Sequence, residues 1–207
     1  MKNKFITIEG IEGVGKTTAV KVIQNYLIHK QQAFILTREP GGTVLAEQMR
    51  KILLTPHQEE LVSDAELLLM FASRAQHVAH VIVPALQAGK SVISDRFVDA
   101  SYAYQGGGRK MDMKKIEMLD EWIVGDVQPH LTILLDAPPE IGLTRAKNRG
   151  PHDRIEQEKI DFFERVRDIY LKRAKKFPKR FYVIDATQSL EKVQDRLTIK
   201  LDELYAN

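Results

Sequence analysis

Residues 10–17 read Gly10-Ile11-Glu12-Gly13-Val14-Gly15-Lys16-Thr17, which fits the pattern G-x-x-x-x-G-K-T. The glycines of this loop allow the backbone to curl until consecutive N–H groups face one anion. Lys16 adds a positive charge at the β- and γ-phosphates, and the Thr17 hydroxyl can ligate Mg²⁺. The helix expected to begin at Lys16 points its positive end at the same place. The glycine-rich loop therefore predicts a nucleoside-triphosphate site, in which we include the next residue, Thr18.

The residues around the glycine-rich loop fit a strand before it and a helix after it. Phe5–Ile8 is a short apolar, β-branched run of the kind that forms a buried strand. After the loop, apolar residues recur at helical spacing: Ala19, Val20, Ile23, Leu27 and Ile28. Strand, loop and helix are the order that the motif requires.

The composition favours one domain without disulfides. A chain of 207 residues with 43% hydrophobic side chains can bury a proper core, so we expect one domain, or one with a small mobile insert. The chain has no cysteine, which excludes disulfides and cysteine-based metal sites. Its net charge of +3 suits a protein that handles nucleotides and is weak evidence for nucleic-acid binding.

Targeting signals are not evident in the sequence. Residues 1–4 lead straight into the first predicted strand and lack the apolar region of a signal peptide. No apolar stretch approaches the ~18 residues that span a bilayer. We therefore expect a cytoplasmic protein without a membrane or nucleic-acid partner.

Strand-like and helix-like segments alternate along the chain. The predicted strands are Phe5–Ile8, Ala33–Leu36, Ser91–Ile93, Leu131–Leu135 and Phe181–Ile184. The predicted helices after the first are Thr43–Leu54, Asp64–Ala72, Gln76–Ala88, Met113–Val124, Pro139–Asn148, Glu156–Lys176 and Leu190–Tyr205. This alternation predicts an α/β fold: a five-stranded parallel sheet with helices on both faces. Ligands of such folds bind beyond the carboxyl ends of the strands.

Arg38 stands at the carboxyl end of the second predicted strand, in the run Arg38-Glu39-Pro40-Gly41-Gly42. An arginine fixed by a proline and two glycines can clamp a phosphate with two hydrogen bonds. A cis Glu39–Pro40 bond would suit such a tight turn. The alternative is a plain turn with a surface ion pair.

Asp95 and Arg96 follow the third predicted strand. A carboxylate here can hold magnesium, directly or through water, as the acidic partner of the glycine-rich loop. Arg96 would then reach toward the transferred phosphoryl group. The alternative is a local ion pair between these two neighbours at the strand end.

Residues 71–74 and 99–108 offer groups for a flat base. Phe71 and Arg74 share a helix face, so one could stack on a base while the other donates to its carbonyl. By spacing alone, Phe71 is as easily a core residue. Gln105 carries both a donor and an acceptor, which suits the edge of a pyrimidine. The glycines after it also fit a helix end.

The densest basic segment is Arg145–Arg154, which contains Gly150-Pro151. A mobile basic flap of this kind could close over a triphosphate, exclude water and stabilise transition-state charge. The alternative is a solvated charged loop. The six histidines show no metal-ligand spacing, and we assign them no role.

Taken together, these motifs resemble those of the bacterial thymidylate kinase family of P-loop kinases. The likeness runs nearly end to end, from residues 5–10 through Asp153-Arg154-Ile155-Glu156. The glycine-rich loop alone identifies only the superfamily. The order of three further motifs is more specific: Thr37–Thr43, Asp95-Arg96-Phe97 and Ala103-Tyr104-Gln105-Gly106.

The resemblance implies a single P-loop kinase domain with a lid at about residues 145–156. It implies ATP as phosphoryl donor, Mg²⁺ held by Thr17 and Asp95, and catalytic roles for Lys16 and Arg96. Residue 12 is acidic and the loop carries no arginine, as in the subtype whose catalytic arginines come from the lid, here Arg149 and Arg154. Arg145 could stack on adenine.

For the acceptor side, the resemblance implies dTMP as substrate. Its phosphate would be bound by Arg38 and Arg96, with Arg50 a lesser candidate. The remaining implied contacts are Arg74 with thymine O4, Ser101 and Gln105 with the ring, Tyr104 with the sugar, and Glu9 and Glu12 near the sugar 3′-OH and the magnesium water shell.

One position departs from the family pattern. In many relatives the aromatic residue that stacks on thymine stands four residues before the arginine, and here Met70 occupies that position. Either Phe71 turns onto the base, or Met70 packs on it and another aromatic residue contributes.

The resemblance also implies a homodimer packed through helices, plausibly Asp64–Ala72 and Gln76–Ala88. Two other functions stay open at this point. One is another small P-loop kinase, acting on UMP or CMP, a deoxynucleoside or dephospho-coenzyme A. The other is a nucleotide-binding regulatory ATPase, which would not need two arginines on the acceptor side.

Overall fold

A computed structural model describes residues 2–147 and 153–206 of the chain. The strands are Phe5–Glu9 (β1), Phe34–Arg38 (β2), Ser91–Asp95 (β3), Leu131–Asp136 (β4) and Phe181–Asp185 (β5). All pair in parallel, in the order β2-β3-β1-β4-β5. The predicted five-stranded parallel sheet is confirmed, and each strand begins or ends within two residues of its prediction.

The α-helices are Lys16–His29 (α1), Val44–Leu54 (α2), Ser63–His77 (α3), Val83–Gln87 (α4), Val98–Ser101 (α5), Met113–Ile123 (α6), Pro139–Lys147 (α7), Ile160–Lys176 (α8) and Leu190–Ala206 (α9). Two π-helical segments, Val78–Ile82 and Tyr102–Gly108, continue α3 and α5. Gln105 and the three glycines after it, which by sequence also fit a helix end, therefore lie at the end of a helical run. The prediction that α8 starts at Glu156 is wrong by four residues, because residues 154–157 form turns.

The two helices predicted at Asp64–Ala72 and Gln76–Ala88 form one unbroken helical run, Ser63–Gln87. Nothing between them breaks a helix, and Pro84 sits near the start of α4, where its missing N–H is tolerated. By length and composition this run could cross a membrane, contrary to our expectation for the sequence. One such helix is weak evidence for a span, because the core helices of soluble proteins can be as long and as apolar, and 39% of its most apolar window is buried in the protein.

The core lies on both faces of the sheet, because successive side chains of a strand point to opposite faces. Ile6 and Ile8 of β1 belong to a cluster with α1, α8 and α9. Phe5 of the same strand belongs to a second cluster with α3 and α6. Helices therefore cover both faces, and the carboxyl ends of β1, β2 and β3 are left at one edge of the sheet.

Candidate active site

A cavity of about 290 Å³ opens beyond the carboxyl ends of β1, β2 and β3. It is bordered by the glycine-rich loop, the loop after β2, helices α2 and α3, the end of β3 and residues 153–156. Many of the predicted site residues line it: Glu12, Gly13, Gly15, Lys16, Thr17, Arg38, Arg50, Asp95, Arg96, Tyr104, Gln105 and Arg154. The structure thus brings together residues that are up to 142 positions apart in the chain.

The glycine-rich loop has the backbone that its glycines predict. Gly10, Gly13 and Gly15 all have positive φ angles, of 130°, 74° and 99°. A Cβ added at Gly13 would lie 1.8 Å from the carbonyl oxygen of Gly142, so no side chain fits there. Helix α1 begins at Lys16, as predicted, and its first turn faces the cavity.

The Lys16 ammonium is folded back onto its own loop. Its Nζ donates to the carbonyl oxygens of Gly10 at 3.1 Å and Ile11 at 2.8 Å. Burial lowers the pKa of Lys16 to about 8, and the nearby Arg96 charge adds to this effect. An anion in the loop would restore the usual preference for the charged amine.

Glu12 and Arg96 join the loop to the end of β3. The Glu12 Oε1 accepts from Arg96 Nη2 at 2.8 Å, and the Tyr104 hydroxyl donates to the same carboxylate at 2.8 Å. Arg96 also donates to the hydroxyls of Tyr104 at 2.9 Å and Tyr170 at 3.2 Å. Arg96 forms its ion pair with Glu12 and not with its neighbour Asp95. The alternative of a local ion pair between Asp95 and Arg96 is therefore wrong.

Arg96 has an unusual backbone, with a φ angle of +72°. Such a conformation is costly for a residue with a side chain and is concentrated at functional sites. Here the backbone N–H of Arg96 donates to the carbonyl oxygen of Ile8, and that of Phe97 donates to Glu9 Oε1 at 2.7 Å. The end of β1 therefore fixes the turn that carries Arg96 into the cavity.

Glu9 is fully buried behind the glycine-rich loop. Besides the Phe97 N–H, it accepts a hydrogen bond of 2.6 Å from the Tyr170 hydroxyl. Burial and the Asp99 charge raise the pKa of Glu9 to about 8. Glu9 does not line the cavity in this structure, so its predicted proximity to the sugar stays a prediction.

The loop after β2 brings Arg38 and Arg50 to the cavity. The Glu39–Pro40 bond is cis, as expected from the sequence. Arg38 is half exposed and donates to Glu47 Oε2 at 3.0 Å, while Arg50 donates to the carbonyl oxygen of Pro40 at 2.8 Å. Arg38 therefore forms a surface ion pair, which was the alternative interpretation of this segment from the sequence. Arg38 also lines the cavity.

Arg74 and Ser101 lie behind the cavity wall, fully buried. Arg74 donates to Glu39 Oε2 at 2.7 Å, to Ser101 Oγ at 3.0 Å and to the carbonyl oxygen of Phe97 at 3.3 Å. His77, to which the sequence analysis assigns no role, bonds to the other oxygen of Glu39 at 2.9 Å. Arg74 and Ser101 thus brace the cis-proline loop, and their contacts with a base stay predictions.

Phe71 does not line the cavity, whereas Met70 does. The Phe71 side chain is 2% exposed in the second core cluster, and the Arg74 guanidinium lies 4.5 Å from its ring centre. Phe71 therefore does not face the cavity in this structure, and its stacking on the base stays a prediction. Neighbouring residues on a helix point about 100° apart, so burying Phe71 turns Met70 toward the cavity.

Arg154 is held by residues of α2 and α3. Its Nη2 donates to Glu66 Oε2 at 2.6 Å and its Nε to the carbonyl oxygen of Leu53 at 2.9 Å. Glu66 also accepts from Gln105 Nε2 at 2.8 Å. The sequence analysis missed Glu66; its only signal was an acid within an otherwise apolar helix face.

The donor side has a second cavity, of about 190 Å³, next to the glycine-rich loop. Val14, Gly15, Thr18 and Arg145 line it, and Arg145 donates to the carbonyl oxygen of Ala186 at 3.1 Å. This position is compatible with the predicted adenine contact. Arg149, the other predicted lid arginine, lies outside the described residues.

Comparisons with known proteins identify the family. A family model described as thymidylate kinase matches residues 8–197. The chain belongs to the thymidylate kinase family. It is 48% identical to a thymidylate kinase of Vesicomyosocius okutanii over 98% of this chain and 99% of that one, and 52% identical to one of Pseudomonas putida over 94% and 92%.

A solved structure supports the same assignment. The crystal structure of thymidylate kinase from Ehrlichia chaffeensis matches with a TM-score of 0.79 and 34% identity, covering 98% of this chain and 99% of that one. The activity of this chain is accordingly the phosphorylation of dTMP. Kinases of other small acceptors and regulatory ATPases, which the sequence analysis keeps open, are not favoured.

Proposed function

We propose that this thymidylate kinase binds the dTMP phosphate between Arg38 and Arg96 and the ATP phosphates on the glycine-rich loop. The observation that carries this arrangement is that both arginines and Lys16 line one cavity. Phosphoryl transfer needs in-line positioning and charge neutralisation more than covalent help from the protein. Arg50, at the same wall, adds positive charge on the acceptor side.

On the donor side, Lys16 would leave the carbonyl oxygens of Gly10 and Ile11 and bind the β- and γ-phosphates. Arg154 and Arg149 would stabilise the charge that develops on the transferred group. For Arg154 this requires release from Glu66, since the two are paired in the structure. The same release would bring the lid, residues 145–156, over the nucleotide.

Mg²⁺ is the metal that we propose for this site, with Thr17 and Asp95 as its protein ligands. Magnesium is usually held by one or two protein oxygens together with substrate phosphates and water. Thr17 and Asp95 fit that pattern, since both line the cavity and no group of three acidic or histidine side chains forms a separate metal site within residues 2–147 and 153–206. Bound there, the metal neutralises phosphate charge.

The thymine base would lie against Met70 and Gln105, with the Tyr104 ring on the sugar side. These three residues line the cavity. The dTMP phosphate would replace Glu12 as the partner of Arg96. Glu12 would then contact the sugar or the water shell of the metal. In this arrangement Arg74 and Ser101 hold the wall and reach the base only after a shift of the Glu39 network.

We further propose a cytoplasmic homodimer with no nucleic-acid or membrane partner. The support for a dimer is an exposed apolar surface on neighbouring helices: Leu68 of α3 is 59% exposed, and Met118 and Trp122 of α6 are 67% and 78% exposed. Exposed apolar side chains gathered on adjoining helices mark protein interfaces. The other predicted dimer helix, Gln76–Ala88, contributes Val78, Ile82 and Ala85 to the second core cluster.

An ADP-release assay tests the function directly. We would supply MgATP with dTMP, dUMP, UMP, CMP, dCMP, dGMP, AMP, dephospho-coenzyme A or no acceptor. Turnover that strongly favours dTMP over UMP would support both the kinase and the position of Tyr104 at the sugar. Hydrolysis of ATP that ignores every acceptor would contradict the proposal.

A further inference from the structure

Glu66 gathers three polar side chains at the wall of the acceptor cavity. It is 1% exposed on α3, and it belongs to the lining of the cavity. Its Oε1 accepts from Gln105 Nε2 at 2.8 Å, and its Oε2 accepts from Arg154 Nη2 at 2.6 Å and Arg109 Nε at 3.3 Å. Three segments distant in sequence thus converge on one carboxylate.

This arrangement keeps Glu66 ionised. Burial raises the pKa of Glu66, but the Arg109 guanidinium, the Gln105 amide and the Arg154 guanidinium together lower it below its usual value. An ionised carboxylate accepts hydrogen bonds and cannot donate them. Whatever faces Glu66 must therefore be a donor.

The requirement for a donor fixes the orientation of the Gln105 side chain. Its amide has two ends of similar shape, an NH₂ that donates and an oxygen that accepts. The reversed amide would set its oxygen against the Glu66 carboxylate, acceptor against acceptor. In the observed orientation the Gln105 Oε1 is buried and has no hydrogen-bond partner in the described part of the chain.

We propose that Glu66 is a positioning residue that holds the Gln105 NH₂ and leaves the Gln105 oxygen as the acceptor without a partner, so that the acceptor site selects a base with an N–H at N3. The inference rests on the proposed position of the base beside Gln105. Buried polar groups are nearly always paired, and an unpaired acceptor is costly. A ligand that donates to this oxygen removes that cost.

Such a site distinguishes pyrimidines by the hydrogen at N3. Thymine and uracil carry an N3–H that can donate to the Gln105 oxygen. Cytosine has a lone pair at N3, which would face that oxygen as a second acceptor. Sites that hydrogen-bond a substrate group reject analogues that leave their buried polar atoms unpaired.

The first test is Glu66→Gln, which keeps the shape of the side chain and removes its charge. Arg109 and Arg154 still need an acceptor, so the new amide at position 66 should turn its oxygen to them and its NH₂ to Gln105. Gln105 should then reverse and present its own NH₂ to the base. We expect the ratio of kcat/KM for dTMP to that for dCMP to fall about 10- to 100-fold.

The second test exchanges the two groups in the double variant Glu66→Gln/Gln105→Glu. The amide at position 66 then donates to one oxygen of the new carboxylate, and the other oxygen is free to accept from N3–H. The exchange keeps the charge of the pair, so we expect the variant to fold and to recover the native ratio to within about threefold. The single variant Gln105→Glu sets two carboxylates together and should lose dTMP binding.

Arg109→Gln is the matched control. It removes a neighbour of Glu66 while the carboxylate still faces Gln105. A merely structural role of Glu66 would lower kcat/KM for dTMP and dCMP alike in Glu66→Gln and Arg109→Gln. The inference instead requires that the ratio change in Glu66→Gln and stay native in Arg109→Gln.

The outcomes separate this inference from the proposed function. If the native chain does not phosphorylate dTMP, the proposed function fails. If the native chain prefers dTMP and folded Glu66→Gln keeps the native ratio, only the role of Glu66 is overturned. If Glu66→Gln does not fold, the exchanged variant decides: a ratio near native supports the inference, and a collapsed ratio overturns it.

Discussion

Glu12 and Arg96 form an ion pair of 2.8 Å that joins the donor loop to the acceptor side of the cavity. Both side chains are mostly buried, and Tyr104 donates a further hydrogen bond to the same carboxylate. In the proposed arrangement, the dTMP phosphate would replace Glu12 as the partner of Arg96. The Arg96 side chain is already held in the cavity, so it needs little reorganisation when an anion binds there. Charge that is organised in advance in this way lowers the barrier to the reaction.

Arg96→Ala tests this role. We expect kcat to fall by at least ~10²-fold, because the negative charge that develops on the transferred group in the transition state loses a positive group that stabilises it. Arg96→Lys should recover only part of the activity, since lysine keeps the charge without the planar fork. Steady-state kinetics with dTMP and MgATP measure both effects.

The control for Arg96 is Arg196→Ala, on α9. Arg196 lies 5.8 Å from the Tyr182 ring centre and does not line the acceptor cavity. Its kcat should equal that of the native enzyme. An unchanged kcat in Arg96→Ala would contradict the role of Arg96.

Gly13→Ala should weaken both folding and ATP binding. Gly13 and Gly89 share a φ angle of +74°, but a Cβ at Gly89 meets nothing within 4 Å, whereas one at Gly13 lies 1.8 Å from the Gly142 carbonyl oxygen. In both alanine variants, the left-handed backbone conformation destabilises the fold by ~1–2 kcal/mol. Only Gly13→Ala also forces the glycine-rich loop away from α7.

Urea unfolding and ATP titration of the two glycine variants separate these costs. We expect Gly89→Ala to bind ATP as the native chain does. Gly13→Ala should be the less stable variant and should bind ATP at least ~10-fold more weakly, since the N–H groups of the loop no longer converge. Equal stability and affinity in the two variants would count against the close packing of Gly13.

Met70 and Phe71 should respond in opposite ways to truncation. Met70→Ala removes a cavity wall, so we expect the KM for dTMP to rise about 3- to 10-fold with little change in kcat, as expected for uniform binding. Phe71→Ala empties a core position and should lower the free energy of unfolding by about 3–5 kcal/mol. Kinetics and urea unfolding on both variants give the comparison. A raised KM in folded Phe71→Ala, with Met70→Ala native, would instead identify Phe71 as the residue that packs on the base.

The sequence predicts the sheet and the glycine-rich loop because both depend on local patterns. Apolar runs mark the strands, and the spacing of glycines, lysine and threonine marks the loop. The orientation of α3 is different, since Leu67, Leu68, Leu69, Met70 and Phe71 are all apolar and the pattern leaves open which of them faces the core. Spacing from Arg74 therefore could not decide between Met70 and Phe71.

Buried polar pairs were equally out of reach. Glu66 meets Gln105 and Arg154 across 39 and 88 positions, and Glu39 meets His77 across 38. Such pairs depend on how the helices pack, not on any local spacing. The sequence shows only that a polar residue lies within an otherwise apolar helix face. It does not show which distant residue pairs with it, because that depends on the fold.

Glu9 makes the stability of the fold depend on pH. Its pKa is raised from 4.5 to about 8, first by burial and then by the Asp99 charge. Between these two values the unfolded chain releases the Glu9 proton while the folded chain keeps it. The stabilising contribution is therefore complete below pH 4.5 and is lost as the pH rises toward 8, by up to about 1.4 kcal/mol per pH unit.

Glu9→Gln removes this dependence, because the amide is uncharged in both states. Its oxygen can still accept from the Phe97 N–H while its NH₂ donates to the Tyr170 hydroxyl oxygen. We expect the free energy of unfolding of Glu9→Gln, relative to that of the native chain, to increase steadily from pH 5 to pH 8. Urea unfolding at intervals of one pH unit measures it. The exposed substitution Glu59→Gln is the control and should follow the native chain throughout. If the stability of Glu9→Gln and that of the native chain change in parallel with pH, Glu9 is ionised in the folded chain. Glu9 makes the stability of the native chain depend on pH in this range only if it keeps its proton on folding.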